Sequence, residues 1–323
     1  MQQELSAAID RPQLADSLRA LEENVGRVVL GKPEVIRLAV VSLLARGHIL
    51  IEDVPGVGKT TLAQALARSL GISFQRIQFT SDLLPSDIIG ISVFQRRDDR
   101  FEFVPGPLFA NIVLADEINR ASPKTQSALL EAMGERKVSV DRKRYALPAP
   151  FLVMATQNPL EYVGTFPLPE SQLDRFLMSL ELGYPPRSDE RELLLSGGVE
   201  ETLASLQPVL SRERLLELQR EVEQVRLTPE IADYVLDLCE TTRSSGEFLL
   251  GASPRAAQSV CRAAQAMATV EGRSYVVPDD VQAVASAVLA HRLLSRARAG
   301  AGSGLKASRE AVGRILAALP VPV

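Results

Sequence analysis

A short apolar run, His48–Glu52, leads directly into Asp53-Val54-Pro55-Gly56-Val57-Gly58-Lys59-Thr60 and then Thr61-Leu62-Ala63-Gln64-Ala65-Leu66, a good helix former. Strand, glycine-rich loop and helix in that order are the setting of a phosphate-binding loop. Gly56 and Gly58 let backbone amides turn inward onto phosphate oxygens. Lys59 brings a point charge to the β/γ position, and the Thr60 hydroxyl can ligate Mg²⁺. The helix N-terminus adds its dipole. Asp53 stands where the strict pattern has glycine, which puts nucleotide affinity in question, and an ordinary structural turn is the competing reading.

The rest of the first half agrees with a sheet behind that loop. Between about residues 13 and 182, short apolar runs alternate with longer amphipathic stretches, as expected of a parallel sheet covered by helices. The expected strands are His48–Glu52, Phe74–Phe79, Ile112–Asp116, Phe151–Thr156 and Leu177–Leu182. After Tyr184-Pro185-Pro186-Arg187 no convincing strand follows, only helical patterns near 189–196, 211–224, 229–243, 254–271, 278–297 and 307–319. Thr228-Pro229, Ser253-Pro254 and Val277-Pro278 mark helix starts. Glycine-rich Arg298–Gly304 is expected to be a mobile loop or linker. The expected fold is therefore α/β, with a parallel five-stranded core in 1–183 and an all-α domain in 184–323.

Further candidate residues fall at strand ends. Ile112-Val113-Leu114-Ala115 delivers Asp116-Glu117 to the carboxyl edge, where open α/β sheets bind ligands. There Asp116 would join the Mg²⁺ shell and Glu117 would polarise a water attacking the γ-phosphate; alone, such a pair could equally cap a helix. The fourth strand ends in Thr156-Gln157-Asn158-Pro159. Asn158 can hold the attacking water or touch the γ-phosphate, or be a turn residue before proline. Arg175, in Leu168-Pro169-Glu170-Ser171-Gln172-Leu173-Asp174-Arg175-Phe176, can stabilise a transferring phosphoryl group, in cis or in trans. A salt bridge to Asp174 or Glu170 is its alternative.

Composition removes several classes of function. At 323 residues the chain has room for roughly two domains,. With 36 Lys plus Arg against 40 Asp plus Glu, the net charge is −4, so the whole chain is no electrostatic magnet for nucleic acid,. Met1–Pro12 has neither the apolar run of a signal peptide nor a basic transit character. Leu38–Ala45, the longest apolar run, is far short of the ~20 residues of a membrane span. Two cysteines, Cys239 and Cys261, fit a reducing compartment and small buried side chains,. These features lead to the expectation of a cytoplasmic protein without membrane insertion. His48 and His291 lack a second ligand at metal-binding spacing.

In this order, these blocks resemble the AAA+ ATPases, and their wording resembles the MoxR family within them. Asp116-Glu117-Ile118-Asn119-Arg120-Ala121 is similar to that family's Walker B block and Ala155-Thr156-Gln157-Asn158-Pro159 to its sensor 1. Leu83–Ile88, Gly106–Phe109 and Leu168–Phe176 match further blocks. The resemblance implies that Pro55, Gly56, Val57, Gly58, Lys59, Thr60 and Thr61 bind ATP or ADP with Mg²⁺, and that Arg175 is an arginine finger acting on a neighbouring subunit. It also implies a homo-oligomer, a hexameric ring. Arg255, in Gly251-Ala252-Ser253-Pro254-Arg255-Ala256, matches sensor 2 at the start of a lid helix. Ser253 as N-cap and Pro254 at N1 put it in the first turn, where a cation opposes the helix dipole. Val28-Val29-Leu30-Gly31-Lys32, Val29 above all, resembles the stretch lining the adenine, with Tyr184-Pro185 approaching from the lid side.

Two hairpins are expected: one from Ile91–Gln95 with Phe101–Phe103, one from Lys137–Val140 with Tyr145–Leu147. The family resemblance would turn them toward a pore or substrate; solvated charged turns are the alternative. Tyr162-Val163-Gly164 is not read as a pore loop, because it follows the wrong strand. The resemblance implies remodelling of protein clients, together with a partner bearing a von Willebrand factor A domain. A nucleic-acid motor and a metal-chelatase subunit of the same clade are the alternatives, the first weakened by the charge and by only ten Phe, five Tyr and no Trp,.

Overall fold

The structure, a computed structural model, describes residues 11–158, 164–195, 198–296 and 304–322. Met1–Asp10, Pro159, Tyr162-Val163 and 298–303, all read above, lie outside the described residues.

Helices α1 (Arg11–Gly26) and α2 (Pro33–Leu44) precede β1 (Ile49–Glu52), the loop and α3 (Lys59–Ser69). Next come β2 (Phe74–Gln78), the short α4 (Pro85–Ile89), the hairpin β3 (Gly90–Gln95) and β4 (Arg100–Pro105), and β5 (Ile112–Asp116). Helix α5 (Pro123–Glu135), the hairpin β6 (Lys137–Val140) and β7 (Lys143–Ala146), β8 (Leu152–Gln157), α6 (Glu170–Leu173) and β9 (Met178–Leu180) complete the α/β part. The helical part holds α7 (Arg187–Leu195), α8 (Val199–Ser205), α9 (Arg212–Val222) and α10 (Pro229–Ser244), then β10 (Phe248–Leu250). It ends with α11 (Pro254–Val270), α12 (Pro278–Leu289), β11 (Leu294–Ser295) and α13 (Gly304–Ala318).

The five expected core strands form one parallel sheet in the order β2-β5-β8-β1-β9. Because β1 lies between β8 and β9, the chain leaves its carboxyl end at a topological switch point, where a crevice opens for ligand. Alternate residues go to opposite faces. Ile49, Ile51, Ile112, Leu114, Leu152 and Met154 enter one core; Leu50, Val113, Ala115, Val153 and Ala155 enter another, beneath α4 and α5. The first core does not stop at the sheet. It continues through α1–α3 into Leu215, Leu238, Val260, Val284 and Val312 of the helical part.

His48, just before β1, is fully enclosed. Its Nδ1 accepts Val153 N–H at 3.0 Å, so Nε2 must carry the proton and donate to Met133 O at 3.2 Å. Burial holds its pKa at about 4. The unfolded chain, with His near 6.5, therefore takes up the proton first, and stability drains as pH falls from 6.5 to 4. Comparing denaturant unfolding of wild type and His48→Gln over that window should show the variant losing about 3 kcal/mol less.

Three features of the helical part differ from expectation. A small antiparallel pair, β10 with β11, interrupts it. The helix expected over 278–297 ends at Leu289 and passes into a tight turn, Ala290–Arg292, whose side chains bond to another segment. His291, expected within a helix, lies in that turn and shares a hydrogen bond with Phe176 O at 3.1 Å. Arg292, buried, donates to Asp174 Oδ1 at 2.8 Å, Leu177 O at 3.0 Å, Phe176 O at 2.6 Å and the Val288 carbonyl. Finally, α8 was not anticipated; it spans only seven residues, and its apolar face, Val199 and Leu203, packs only partly buried against the main core, too short a pattern to mark a helix in sequence,.

Candidate active site

The loop after β1 is shaped by its glycines. Gly56 and Gly58 sit at φ +84° and +96°, which other residues adopt only with strain, and an added Cβ at either meets nothing within 4 Å,. The loop therefore faces open space, with Lys59 as the first residue of α3. Lys59 Nζ donates to Asp53 O at 2.9 Å. Partial burial draws its pKa below the ordinary ammonium value, against the opposing pull of Asp116, Asp53 and Glu117.

Asp53 has a structural task that explains why glycine is absent there. One carboxylate oxygen, Oδ2, accepts Leu182 N–H and Gly183 N–H, both at 2.7 Å, while Oδ1 accepts Val54 N–H at 2.9 Å. It ties the loop to the chain leaving β9. Asp53→Gly, which would restore the common loop pattern, should destabilise the fold by about 1–3 kcal/mol through the stranded amides, measured by denaturant unfolding.

A cleft of about 370 Å³ lies over the loop, lined by Pro55, Gly56, Gly58, Lys59, Thr60 and Thr61 and, from the sheet edge, by Arg76, Gln78, Asp116, Glu117 and Asn158. Val57 instead packs, partly buried, against the main core. Asp116 Oδ1 accepts from Thr156 Oγ1 at 2.7 Å, and Thr156 Oγ1 in turn accepts Glu117 N–H at 2.8 Å. Glu117 has left-handed backbone, φ 56° and ψ 49°, an uncommon state for a residue with a side chain,. Its Oε2 accepts from Gln78 Nε2 at 2.8 Å and from Arg120 Nη1 at 2.9 Å.

The oxygen set formed by the Thr60 hydroxyl and the Asp116 carboxylate suits a small hard cation. Among the described residues no group of three or more His, Cys, Asp or Glu forms a metal cage.

Arg175 and Arg255 lie elsewhere. Both line a second cleft, of about 450 Å³, that also takes in Arg46, Arg136, Arg262 and Arg292. Arg175 does not pair with Asp174 or Glu170 among the hydrogen bonds seen; its Nη1 donates to Leu130 O at 2.9 Å. Asp174 instead faces Arg292 at 2.8 Å and Arg255 at 3.4 Å. Arg255 is 62 % exposed, on the first turn of α11, which Ser253 caps through Ala256 N–H with Pro254 at N1. Val29 is outside the phosphate cleft too, lining a hollow of about 510 Å³ between α1 and α2. Next to it Lys32 Nζ donates to Tyr184 O at 2.7 Å, bringing the two segments expected near a nucleobase together.

Arg76 and Gln78 escaped the sequence reading. The signal was present: in Phe74-Gln75-Arg76-Ile77-Gln78 two long polar side chains recur at strand period, on a face next to the acidic pair,.

Comparison with known proteins follows the same lines. Residues 48–178 match the family described as "ATPase family associated with various cellular activities (AAA)", and residues 240–311 match the AAA lid domain. The chain is 49% identical over 302 residues to the uncharacterized protein YeaC of Bacillus subtilis, covering 93% of each chain. It is 43% identical over 293 residues to Chaperone MoxR1 of Mycobacterium tuberculosis, covering 87% of this chain and 77% of that one. The crystal structure of a candidate ATPase from Cytophaga hutchinsonii superposes with a TM-score of 0.87 at 36% identity, covering 97% of both chains.

Proposed function

This chain belongs to the MoxR family of AAA+ ATPases, and from that premise we propose that it hydrolyses ATP within a ring of copies and uses the cycle to remodel or mature protein clients. The observation that carries the ring is the separation of the two clefts: Lys59, Asp116 and Glu117 line one, Arg175 and Arg255 the other. An arginine finger serves its purpose only beside a transferring phosphoryl group, so in this reading a second copy brings Arg175 to the first copy's phosphates, while Arg255 is carried over as sensor 2. Six subunits is the reading carried over from the family.

Each residue then has a part. In the loop Pro55–Thr61 the amides of Gly56–Thr61 and the Lys59 ammonium hold the phosphate chain, with Pro55 setting the turn, and Thr60 and Asp116 would hold Mg²⁺. When bound, that ion would supply positive charge to offset the charge developing on the phosphates. Glu117 takes a proton from the attacking water, which Asn158 orients. Val29, with the Tyr184 segment, closes on the adenine. In this reading residues 1–183 are the ATPase core, 184–323 the lid, and the site of action the cytoplasm; among the described residues no helix is long and apolar enough to cross a membrane.

The hairpins are the surfaces offered to a client. Phe94 and Phe101 pair near the tip of β3–β4 with ring centroids 5.2 Å apart, both exposed, alongside exposed Ile91 and Val104. At its base Gly90 has φ +107°, and an added Cβ there would collide with the Val104 carbonyl. Phe103 stacks on Tyr145 of the second hairpin at 4.0 Å, joining the two. A protein with a von Willebrand factor A domain is the expected partner.

The test is to purify Glu117→Gln with ATP from native cells and identify what accompanies it but not Lys59→Ala, which is expected to lose ATP binding. A von Willebrand factor A protein or a client enzyme supports remodelling. DNA or replication proteins would favour a nucleic-acid motor instead.

A further inference from the structure

Strand β2 is the edge of the sheet on the side of β5, and its Arg76 and Gln78 both reach the phosphate cleft. Arg76 donates twice to a single Asp116 oxygen, Oδ2, from Nε at 3.1 Å and from Nη2 at 2.5 Å. Nη2 also donates to Gln78 Oε1 at 3.1 Å, which braces the guanidinium in place. The other Asp116 oxygen, Oδ1, is held by Thr156. Each oxygen of this carboxylate is therefore already engaged.

The two engagements differ in how readily they yield. Thr156 is buried in β8 and its hydroxyl also anchors the Glu117 amide, so releasing it would strand polar groups inside the protein,. Arg76 is 50 % exposed, against 14 % for Asp116, and solvent is available to receive its head group. A cation approaching Asp116 from the cleft thus meets the oxygen that Arg76 occupies. Arginine cannot shed its proton at neutral pH, so the two positive charges cannot share that oxygen by neutralisation of one of them. The guanidinium has to move.

We propose that Arg76 is a resident counter-cation of Asp116, which a divalent metal must displace, and that it thereby sets the metal affinity of the nucleotide-loaded site. The inference rests on the reading of Asp116 as part of the metal shell. It makes Arg76 a positioning residue, acting on metal binding through Asp116. An ion pair with one exposed partner has a coupling of at most about fivefold in an equilibrium constant, and it weakens as salt rises.

The experiment titrates Mn²⁺, followed by its electron paramagnetic resonance signal, into the ADP-loaded full chain at low ionic strength. Wild type, Arg76→Gln, Asp116→Asn and the double variant form a cycle, with Arg76→Met, which keeps the apolar stem, as a second removal of the charge. The expected result is Mn²⁺ binding tighter by up to about fivefold in Arg76→Gln and Arg76→Met, weaker binding in Asp116→Asn, and no tightening by Arg76→Gln in the Asp116→Asn background. Unchanged or weaker binding on loss of the Arg76 charge, or equal tightening without Asp116, overturns the inference while leaving Asp116 as a metal-shell residue. If Asp116→Asn itself leaves Mn²⁺ binding intact, the reading of Asp116 falls and the inference falls with it.

Discussion

Glu117→Gln is expected to lower ATP turnover by at least about a hundredfold, the usual contribution of a positioned general base, while nucleotide binding persists. The backbone supplies the reason for expecting so clean a separation. Glu117 is held in a left-handed conformation by the hydrogen bond its backbone N–H donates to Thr156 Oγ1, and Arg120 and Gln78 hold the side chain. Glutamine has the same shape and keeps an oxygen for Arg120, so the strand end and the loop beside it should stay as they are. What is lost is the negative charge able to take a proton from water. Steady-state phosphate release and equilibrium binding of a fluorescent nucleotide measure the two halves separately. Normal turnover would remove Glu117 from the catalytic assignment.

Arg175→Ala is expected to lose hydrolysis by about a thousandfold, the lower range for an arginine acting on a phosphoryl group, again with nucleotide still bound. Its side chain donates to Leu130 O, and losing that bond should cost the fold about 1 kcal/mol,. The informative measurement is a mixture. Arg175→Ala keeps an intact phosphate loop and Lys59→Ala keeps an intact Arg175, so mixed assemblies contain junctions where both halves are sound. Activity should reappear on mixing two inactive proteins. If it does not, while both variants still assemble, Arg175 acts within its own chain or only supports the fold.

The readable parts of this protein were those where local chemistry and long-range packing make the same demand. The core strands are apolar along their length because helices cover both faces, so Ile112–Asp116 and Leu152–Gln157 announce themselves,. The hairpins were legible because a polar turn, Arg96–Asp99 in one and Asp141-Arg142 in the other, separates runs of strand formers,. Where a feature depends on a partner far along the chain, no local signal exists. The turn that follows α12 ties its Arg292 side chain to acceptors in 174–177, more than a hundred residues away. Asp53 looked like a departure from a phosphate-loop pattern, and its explanation lies at Leu182 and Gly183. The placing of Arg175 and Arg255 in a separate cleft from Lys59 is likewise a property of the assembled fold.

The apolar core that runs unbroken from the sheet into the terminal helices has a mechanical consequence. A part that shares its interior with its neighbour cannot swing like a door on a strap; it can only shear by small side-chain steps, since close-packed interiors resist deformation,. The chain should accordingly melt as one calorimetric unit, with no separate transition for its second half. In the ring proposed above, such a stiff subunit would behave as a rigid spoke. The strain of each nucleotide exchange would be delivered to the seams between copies, making the joints the compliant elements of the machine.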